Sequence, residues 1–422
     1  MKKFLSIVLT CGMLLGLLCV SACGNGGNSE PEETEPKYEI PFGQAEVKTL
    51  TTEWPNYKMA ENATVEERRA MAVQAMSDLV NIQWTPNKNF SYKKSGSGSN
   101  YDFEFDVRGV YAGIPYTNGD AGIFQWVSAM DMSNGIFWDA NFTNINGTQG
   151  ATCSTTVCWA LMTVSSKVKA PWLTYYVVPK NGFVPVGDYK YPENLESYYD
   201  VPTDEIVKDN GPEAILEAYA KCLPADAVVS TGSPNTDNHT MMVIEAPKVV
   251  RNEDGTIDAE KSTIAIRDQR FVSRKETVNG STVYYRGRDR ADLTFKEILD
   301  LNYIPIMAVD FAENTPYEKA EASLVKGATT LDELAKDQVK CNYCVCVAYG
   351  RVLDKKGKVI DEVKKTTVGD DIRNGGAFNY KLSSVLPKKL TDKAKATKGS
   401  KVQVEVVLAT GERFIVSEVE GK

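Results

Sequence analysis

The chain has 422 residues, of which 56 are acidic and 48 are Lys or Arg, so its formal net charge is −8 at neutral pH. This acidic balance argues against a nucleic acid partner, which requires a basic face, and the length favours more than one domain. One residue is a histidine and nine are cysteines. Because a zinc site needs several such ligands together, and because cysteines this sparse do not crosslink a fold, we expect no metal, no other cofactor and no disulfide scaffold.

The first residues resemble the signal sequence of a bacterial lipoprotein. Lys2 and Lys3 precede an apolar run over residues 4–20, and two small residues then lead to Cys23. This pattern predicts a cleaved secretory signal over residues 1–22. The resemblance to a lipobox implies that the sulfur of Cys23 is acylated, which would anchor the protein to a membrane on its extracytoplasmic side. The alternative is a plain signal peptide in which Cys23 is incidental.

The segment after Cys23 has the composition of a disordered linker. Residues 24–36 (GNGGNSEPEETEP) contain no hydrophobic side chain and several Glu and Pro, and such a segment has nothing with which to form a core. We therefore predict a disordered acidic tether over residues 23–57, which would hold the folded domains away from the membrane.

Helical patterns occur in the first part of the folded chain. Thr64, with Glu67 three residues later, forms a capping box, and the apolar spacing that follows predicts a helix as far as Trp84. Residues 150–160 (GATCSTTVCWA) begin as a small-residue turn and continue as an apolar helix, with Cys153 in its first turn. Shorter helices are predicted over residues 211–222 and 294–301.

Strand patterns follow the second helix. Residues 239–250 (HTMMVIEAPKVV) and 262–271 (STIAIRDQRF) alternate between apolar and polar side chains, which predicts two strands that pair across the intervening turn. Residues 277–287 (TVNGSTVYYRG) carry Asn-Gly, a strong hairpin signal. With the helices, these strands indicate an α+β domain over residues 58–312. Short strands and turns over residues 313–422 predict a small all-β, sandwich-like domain.

Cys153 stands where a thiol can become a nucleophile. A helix N-terminus lowers the pKa of a thiol, and nucleophilic catalysis also needs a base within hydrogen-bonding distance. If that base is an imidazole, it is His239, the one histidine of the chain. Pairing of the two predicted strands would place Asp268 beside His239, where a carboxylate would orient the ring. The alternatives are a packing thiol at Cys153, a surface imidazole at His239 and an ordinary ion pair between Asp268 and a neighbouring arginine.

The ordered set of motifs resembles the papain-like NlpC-type peptidases and the related CHAP amidases of bacterial cell walls. These families have a Tyr-Gly stretch, then Asp-Cys-Ser-Gly-Phe-Val at the start of a helix, then Ser-Gly-His at the start of a strand, and a polar residue on the next strand. The corresponding segments here are YAGIPY (111–116), TCSTTV (152–157), DNH (237–239) and IRDQ (266–269). The likeness covers roughly residues 60–310.

The resemblance implies a papain-like fold, in which the helix that carries the cysteine packs on an antiparallel sheet. It implies a hydrolase that cleaves an amide bond in peptidoglycan stem peptides, or in another peptide substrate, through a thioester. The catalytic residues implied are Cys153, His239 and Asp268. Residues expected to line the substrate cleft are Tyr111, Tyr116 and Gln269. Core packing is the alternative for Tyr111, and Gln269 is the alternative to Asp268 as partner of the histidine.

The departures from the family pattern keep other functions open. Thr152 stands where the families have Asp, and Thr155 stands where they have Gly. One alternative is a non-catalytic envelope lipoprotein that binds wall or host ligands, and another is acyl transfer of the transglutaminase kind, which uses the same order of Cys, His and Asp. Aromatic side chains that could stack on sugar rings, although core packing is the preferred interpretation, are Phe124, Trp126, Phe137 and Trp138.

Overall fold

The computed structural model describes most of the chain after residue 53. The described residues are 54–94, 101–105, 109–117, 119–132, 135–138, 150–169, 173–232, 238–278, 281–367, 370–373 and 375–422. Cys23, the predicted signal and nearly all of the predicted tether lie outside these ranges. Within them, no helix combines the length and the apolar character needed to cross a membrane.

Single helices and groups of strands follow one another along the described chain. The α-helices are α1 Val65–Asn81, α2 Ile123–Val127, α3 Cys153–Met162, α4 Thr203–Asn210, α5 Pro212–Ala220, α6 Phe295–Asp300, α7 Val309–Ala312, α8 Leu331–Leu334, α9 Asp370–Arg373 and α10 Lys388–Ala396. Short 3-10 turns lie at Thr174–Tyr176, Pro179–Asn181 and Leu382–Ser384.

The strands are short except for one long hairpin. They are β1 Gln83–Pro86, β2 Phe90–Lys94, β3 Tyr101–Phe105, β4 Val110–Ala112, β5 Met130–Asp131, β6 Ile136–Phe137, β7 Phe183–Pro185, β8 Ala227–Ser230, β9 His239–Val243, β10 Thr263–Val278, β11 Ser281–Thr294, β12 Ile304–Ala308, β13 Ala322–Leu324, β14 Gln338–Cys341, β15 Val345–Leu353, β16 Val359–Thr366, β17 Asn379–Lys381, β18 Lys401–Leu408 and β19 Arg413–Glu420.

The protein is a mixed α and β structure whose described strands form four sheets. The largest has ten strands in the order β5-β6-β1-β4-β11-β10-β9-β8-β12-β7. Its strand pairs are antiparallel except β1 with β6 and β4 with β11, which are parallel. Helix α3 contacts α1 and the central strands β9 and β10, so the residue at the start of α3 lies over the middle of the sheet.

Helix α1 begins where the capping box predicts but ends earlier than expected. The Glu67 N–H donates to the Thr64 hydroxyl at 3.1 Å, and the Thr64 N–H donates to the Glu67 carboxylate at 2.8 Å. The predicted extension to Trp84 is wrong, because the chain leaves the helix after Asn81 and pairs with β4 as strand β1. The Trp84 ring is buried there, and its Nε1 donates to the Gly113 carbonyl oxygen at 2.9 Å. Burial of an aromatic ring in the core outweighs the local helical spacing.

The predicted pairing of the strands in residues 239–250 and 262–271 is confirmed, although the first strand is shorter than predicted, and so is the hairpin over residues 277–287. Strand β9 pairs antiparallel with β10, and β10 forms an antiparallel hairpin with β11. The last described pair before the tip is Val278 with Ser281. The Asn-Gly dipeptide lies between them, outside the described residues. The predicted helix near residues 294–301 is also confirmed as α6, and Thr294 is its N-cap.

The C-terminal region contains more than strands. Strands β16-β15-β18-β19 form a four-stranded antiparallel sheet, and β13-β14-β17 form a smaller one. The expectation of an all-β domain is wrong, because α10 also contributes to this region and contacts β15 and β16. Its buried side chains Leu390 and Ala394 join the local hydrophobic core. These few apolar positions are a weak sequence signal for α10, which is otherwise rich in lysine.

The four-stranded sheet is attached to the rest of the molecule through helix α2. Buried side chains of β15 and β18, including Cys346 and Val407, belong to the same hydrophobic core as α1 and α3. The Gln125 side chain of α2 donates to the Thr367 carbonyl oxygen at 3.1 Å. On the other side of α2, a backbone carbonyl oxygen just before the helix accepts a hydrogen bond from the Trp159 side chain of α3 at 3.0 Å. The C-terminal region therefore packs on the element that supports the cysteine helix.

Candidate active site

Cys153 is the first residue of α3, as predicted, and Thr152 is its N-cap. The Thr152 hydroxyl accepts a hydrogen bond from the Thr155 N–H at 3.5 Å, and the Thr155 hydroxyl accepts one from the Thr152 N–H at 2.7 Å. Thr is among the residues whose side-chain oxygen caps a helix, so Thr152 fixes the start of α3 directly before Cys153. The N–H groups of the first turn, which have no partner within the helix, are gathered around Cys153.

A loop that precedes α2 holds the chain next to Cys153. Ala151 forms a parallel bridge with Tyr116, and the Ala151 N–H donates to the Pro115 carbonyl oxygen at 3.1 Å. This bridge brings the half-buried Tyr116 to the nucleophile, where its hydroxyl donates to Cys153 Sγ at 3.6 Å. Of the two tyrosines expected in the cleft, Tyr116 is therefore the one that contacts the thiol.

Gly150 makes this close approach of the loop possible. Its φ is +157°, and a Cβ atom there would lie 2.6 Å from Thr117 Oγ1 and closer still to the carbonyl oxygen of Pro115. A side chain at residue 150 would therefore push the loop away. The small-residue turn noted in the sequence thus has a steric cause.

Strands β9 and β10 bring the predicted base and carboxylate together. In their register Met242 lies opposite Arg267 and Val243 lies opposite Ile266, so His239 and Asp268 are diagonal neighbours on one face. His239 Nε2 lies 2.6 Å from Asp268 Oδ2. The carboxylate is fully buried and the histidine is 6 % exposed. The predicted proximity of these two side chains is confirmed.

Cys153 and His239 interact directly. Since Nε2 of the ring donates to Asp268, Nδ1 is the atom left to exchange a proton with the thiol. Burial raises the pKa of Cys153, but the charge of His239 and hydrogen bonds from His239 and two hydroxyl groups lower it to about 7. Burial lowers the pKa of His239, but the charge of Cys153 and the hydrogen bond with Asp268 raise it to about 9, against the opposing charge of Arg270. These directions favour a thiolate–imidazolium pair near neutral pH.

The second hydroxyl near the thiol comes from Thr174, which the sequence did not single out. Thr174 Oγ1 lies 3.6 Å from Cys153 Sγ and also accepts a hydrogen bond from Thr240 at 3.4 Å. It belongs to the 3-10 turn Thr174–Tyr176. No sequence motif marks this residue, because the turn reaches the site only through packing.

Two arginines hold the carboxylate of Asp268. Arg288 donates to it through Nε at 2.7 Å and through Nη2 at 2.8 Å, a bidentate pair. Arg270 donates through Nε at 2.6 Å. Burial alone would raise the pKa of Asp268, but the two arginine charges and the hydrogen bond from His239 hold it well below its ordinary value. The two arginines therefore keep Asp268 ionised and fix the position of its carboxylate beside the histidine.

Arg288 is absent from the sequence-based site because the hairpin register shifts. Near the hairpin tip β10 and β11 pair in one continuous register, in which Glu276 lies opposite Val283. Bulges farther from the tip shift this register, so that Asp268 lies opposite Arg288. Counting from the tip without bulges would place Ala291 there instead. β-bulges of this kind are not encoded by alternation.

Gln269 is not the partner of the histidine. Its side chain is buried, and its Nε2 donates to the carbonyl oxygen of Ile114 in the loop that carries Tyr116. Its Oε1 has no hydrogen-bond partner among the described residues. Gln269 therefore links β10 to the Tyr116 loop, and its expected place in the substrate cleft is not supported.

Tyr111 lies in the aromatic core. Its ring centroid is 5.0 Å from that of Trp84, 4.8 Å from that of Phe105 and 5.3 Å from that of Tyr284. It is 3 % exposed. Its expected role in substrate binding is therefore corrected to core packing, because the rings around Trp84 offer it an apolar site.

The other thiols of the described residues are buried and free. They are Cys158, Cys222, Cys341, Cys344 and Cys346. Burial raises the pKa of Cys158 well above its ordinary value, whereas that of Cys153 in the same helix is lowered. The described part of the chain contains no group of three or more His, Cys, Asp or Glu side chains arranged to hold a metal ion.

The arrangement can do the chemistry of a cysteine nucleophile. It combines a thiol at a helix N-terminus, an imidazole that shares its proton, and a buried carboxylate that orients the ring. Searches against protein-family models, curated proteins and solved structures found no match to this chain.

Proposed function

We propose that this protein is a cysteine hydrolase of the papain-like type that cleaves an amide bond in peptidoglycan stem peptides. The observation that carries the proposal is the contact of Cys153 with His239, whose Nε2 lies 2.6 Å from Asp268. A papain-like fold is supported by the position of the cysteine helix against strands β9 and β10. The wall substrate is supported by the resemblance of the motifs and of the N-terminal signal to those of bacterial envelope proteins.

The proposed reaction begins with the thiolate of Cys153. Its sulfur attacks the amide carbonyl carbon, and the N–H groups at the start of α3 stabilise the negative oxygen that forms. The His239 imidazolium then gives its proton to the leaving nitrogen, and the C–N bond breaks to leave a thioester. Neutral His239 next takes a proton from water, whose oxygen attacks the thioester. The carboxylic acid leaves, and the thiolate–imidazolium pair is restored.

Asp268 contributes through the orientation and charge of the histidine. Because its carboxylate holds Nε2–H, Nδ1 faces the sulfur in both steps. The arginines keep Asp268 ionised in a buried position, and an anion there favours the imidazolium form of His239.

The direct test is digestion of purified peptidoglycan with the full-length protein. Mass spectrometry of the products identifies any new amine and carboxyl ends. We expect such ends with the native protein and none with Cys153→Ser or His239→Ala. Cys158→Ala is the matched control, because it removes a second buried thiol of the same helix that has a raised pKa. A product that joins the acyl group to an added amine would instead indicate acyl transfer.

A thiol-reactive probe separates catalysis from simple binding. A hydrolase should be alkylated at Cys153 near pH 7, and His239→Ala should slow this labelling at least about tenfold, since one pKa unit changes the thiolate fraction by that factor. Equal labelling of both proteins, together with intact peptidoglycan, would contradict the proposal and favour a non-catalytic wall-binding lipoprotein.

A further inference from the structure

The hydroxyl of Thr174 contacts the reacting sulfur from a segment that carries neither the cysteine nor the histidine. Thr174 Oγ1 lies 3.6 Å from Cys153 Sγ, and the 3-10 turn Thr174–Tyr176 that carries it lies between α3 and α4. Thr174 is 5 % exposed and Cys153 is 3 % exposed. Because little water reaches this contact, a hydrogen bond there is electrostatically stronger than it would be at the surface.

Thr240 sets the direction of this hydrogen bond. Its hydroxyl donates to Thr174 Oγ1 at 3.4 Å, and its side chain is fully buried on β9, directly after His239. A hydroxyl group has one hydrogen to donate and two lone pairs that accept. Because Thr174 accepts from Thr240, its own hydrogen is available to the sulfur. The three side chains therefore form a directed chain of hydrogen bonds that ends at the reacting atom.

The backbone holds both threonines in place without a substrate. The Val177 N–H donates to the Thr174 carbonyl oxygen at 3.1 Å, and the Asn181 side chain donates to the Tyr176 carbonyl oxygen at 2.7 Å. Thr240 lies on a strand that is paired on both sides, with β8 and with β10. Threonine is also β-branched, which restricts its side-chain rotamers. The hydroxyl of Thr174 is therefore preorganised toward the sulfur.

The effect of this hydroxyl differs from that of the histidine. The titratable groups that act on the sulfur or are acted on by it are His239, Tyr116 and Cys158. The imidazolium charge and the two hydroxyl groups lower the pKa of Cys153, whereas burial raises it. His239 loses its charge when it gives its proton to the leaving nitrogen. The hydroxyl of Thr174 keeps its proton throughout, so it can still donate to the sulfur when the thioester breaks and the thiolate forms again.

We infer that Thr174 is a further catalytic residue, whose hydroxyl donates to the sulfur of Cys153, and that Thr240 is the positioning residue that directs this hydroxyl. The inference rests on the proposed function and deepens it. Thr174 exchanges no proton in the reaction. It stabilises the thiolate before the attack and again as the leaving group of the thioester.

Alkylation of the full-length protein with iodoacetamide, measured as a function of pH, tests the role of Thr174. In Thr174→Val the pH at half of the maximal rate should rise by about 0.5 to 1 unit, and the rate at about pH 6 should fall by about three- to tenfold, as for loss of one hydrogen bond. The rates should become equal at high pH, where both proteins are fully in the thiolate form, whereas structural damage would lower the rate at every pH. Thr174→Ser should behave like the native protein, because it keeps the hydroxyl.

Thr163→Val is the matched control. Thr163 is also buried, and its hydroxyl donates to the Ala160 carbonyl oxygen at 2.7 Å at the other end of α3. The variant removes a buried hydroxyl from the cysteine helix without touching the sulfur. Its alkylation profile should match that of the native protein.

A double-mutant cycle tests the role of Thr240. Thr240→Val should shift the alkylation profile in the same direction as Thr174→Val but by less, and Thr240→Ser should restore the native profile. Because Thr240 acts through Thr174, the double variant Thr174→Val with Thr240→Val should have the same midpoint as Thr174→Val alone. Independent effects would instead add.

Unchanged midpoints in Thr174→Val, or additive shifts in the double variant, would overturn the inference. If the native protein then still cleaves peptidoglycan, the proposed function stands and only the role of the two threonines fails. If peptidoglycan stays intact while the expected shifts occur, the hydrogen-bond chain stands and the proposed hydrolysis fails. If Thr174→Val does not unfold cooperatively, Thr240→Val decides, because it keeps Thr174, and a native profile there would overturn the inference.

Discussion

His239 Nε2 lies 2.6 Å from Asp268 Oδ2, and both side chains are buried under the N-terminus of the cysteine helix. The distance is that of a charge-assisted hydrogen bond. It fixes the tautomer of the one histidine in the chain and directs its other nitrogen to Cys153. The chemistry of the site therefore depends on how two adjacent strands are paired.

The reactivity of Cys153 should follow the titration of the coupled pair. Its pKa is lowered to about 7 and that of His239 is raised to about 9. As pH rises through about 7 the thiolate forms, and as pH rises through about 9 the imidazolium is lost. We therefore expect kcat/KM for amide cleavage to be bell-shaped between these values, measured with a fluorogenic stem peptide. Alkylation needs only the thiolate, so its rate should rise near pH 7 and not fall above 9. A single rise near the ordinary thiol pKa in both assays would contradict the ion pair.

Substitutions of Asp268 and Arg288 should have strongly coupled effects on the free energy of unfolding. Asp268→Asn leaves two arginines beside a neutral amide, and loss of a buried partner destabilises a protein by about 3–5 kcal/mol. It should also reduce kcat at least about 100-fold, because the histidine loses its orienting anion. The double variant Asp268→Asn with Arg288→Gln should be more stable than the sum of the single variants by about 1–3 kcal/mol. Urea denaturation of all four proteins measures this coupling, and strictly additive losses would show that the bidentate pair is unimportant.

Tyr116→Phe should change the reactivity of the thiol with little change in stability. The hydroxyl donates to Cys153 Sγ at 3.6 Å and is one of the groups that lower the pKa of Cys153. Without it the pH at which alkylation reaches half of its maximum should move upward, and the rate at pH 7 should fall by a few-fold, roughly as expected for one hydrogen bond to a charged group. Tyr284→Phe, in the aromatic core strand β11, is the matched control. An unchanged pH profile would remove Tyr116 from the site.

Gly150→Ala should disturb the site through sterics. A Cβ there would lie 2.6 Å from Thr117 Oγ1 and closer to the Pro115 carbonyl oxygen, and overpacking of this kind costs about 1–3 kcal/mol. Displacement of the loop should also slow alkylation of Cys153, since Tyr116 moves with it. Gly255→Ala is the control, because Gly255 also has a positive φ of +87° but no atom within 4 Å of the added Cβ. Thermal unfolding and labelling rates that are alike in the two variants would contradict the steric explanation.

A chain that ends at residue 312 should not retain a native site. Buried side chains of β15 and β18 share the hydrophobic core with α1 and α3, and the Thr367 carbonyl oxygen accepts a hydrogen bond from Gln125 of α2. Removal of this sheet would expose an apolar face. We expect loss of cooperative thermal unfolding, binding of a hydrophobic dye, and slow alkylation of Cys153. A stable, fully reactive fragment would show instead that residues 58–312 fold independently.

Local signals in the sequence were sufficient for several elements and for the candidate residues. Thr64, Thr152 and Thr294 each begin a helix through reciprocal capping with the third residue that follows. Capping depends only on near neighbours in the chain. The single histidine then limits the possible bases to His239, and side-chain alternation placed it on the same face as Asp268.

What the sequence left open depends on distant contacts. Tyr111 and Tyr116 look alike in the motif, yet one packs among core rings and the other contacts the thiol. Helix α10 lacked a continuous apolar stripe, and α1 stopped early because Trp84 is buried in a strand.

By itself, the sequence determined where α1, α3 and α6 begin, which faces of β9 and β10 carry His239 and Asp268, and which thiol and imidazole could react. Only the tertiary structure decided that Arg288 fixes Asp268 and that Thr174 reaches the sulfur. The physical reason is the separation along the chain over which each interaction acts. Capping and alternation act within about four residues, whereas bulges, strand register and ring packing are decided by contacts that form only when the whole core closes.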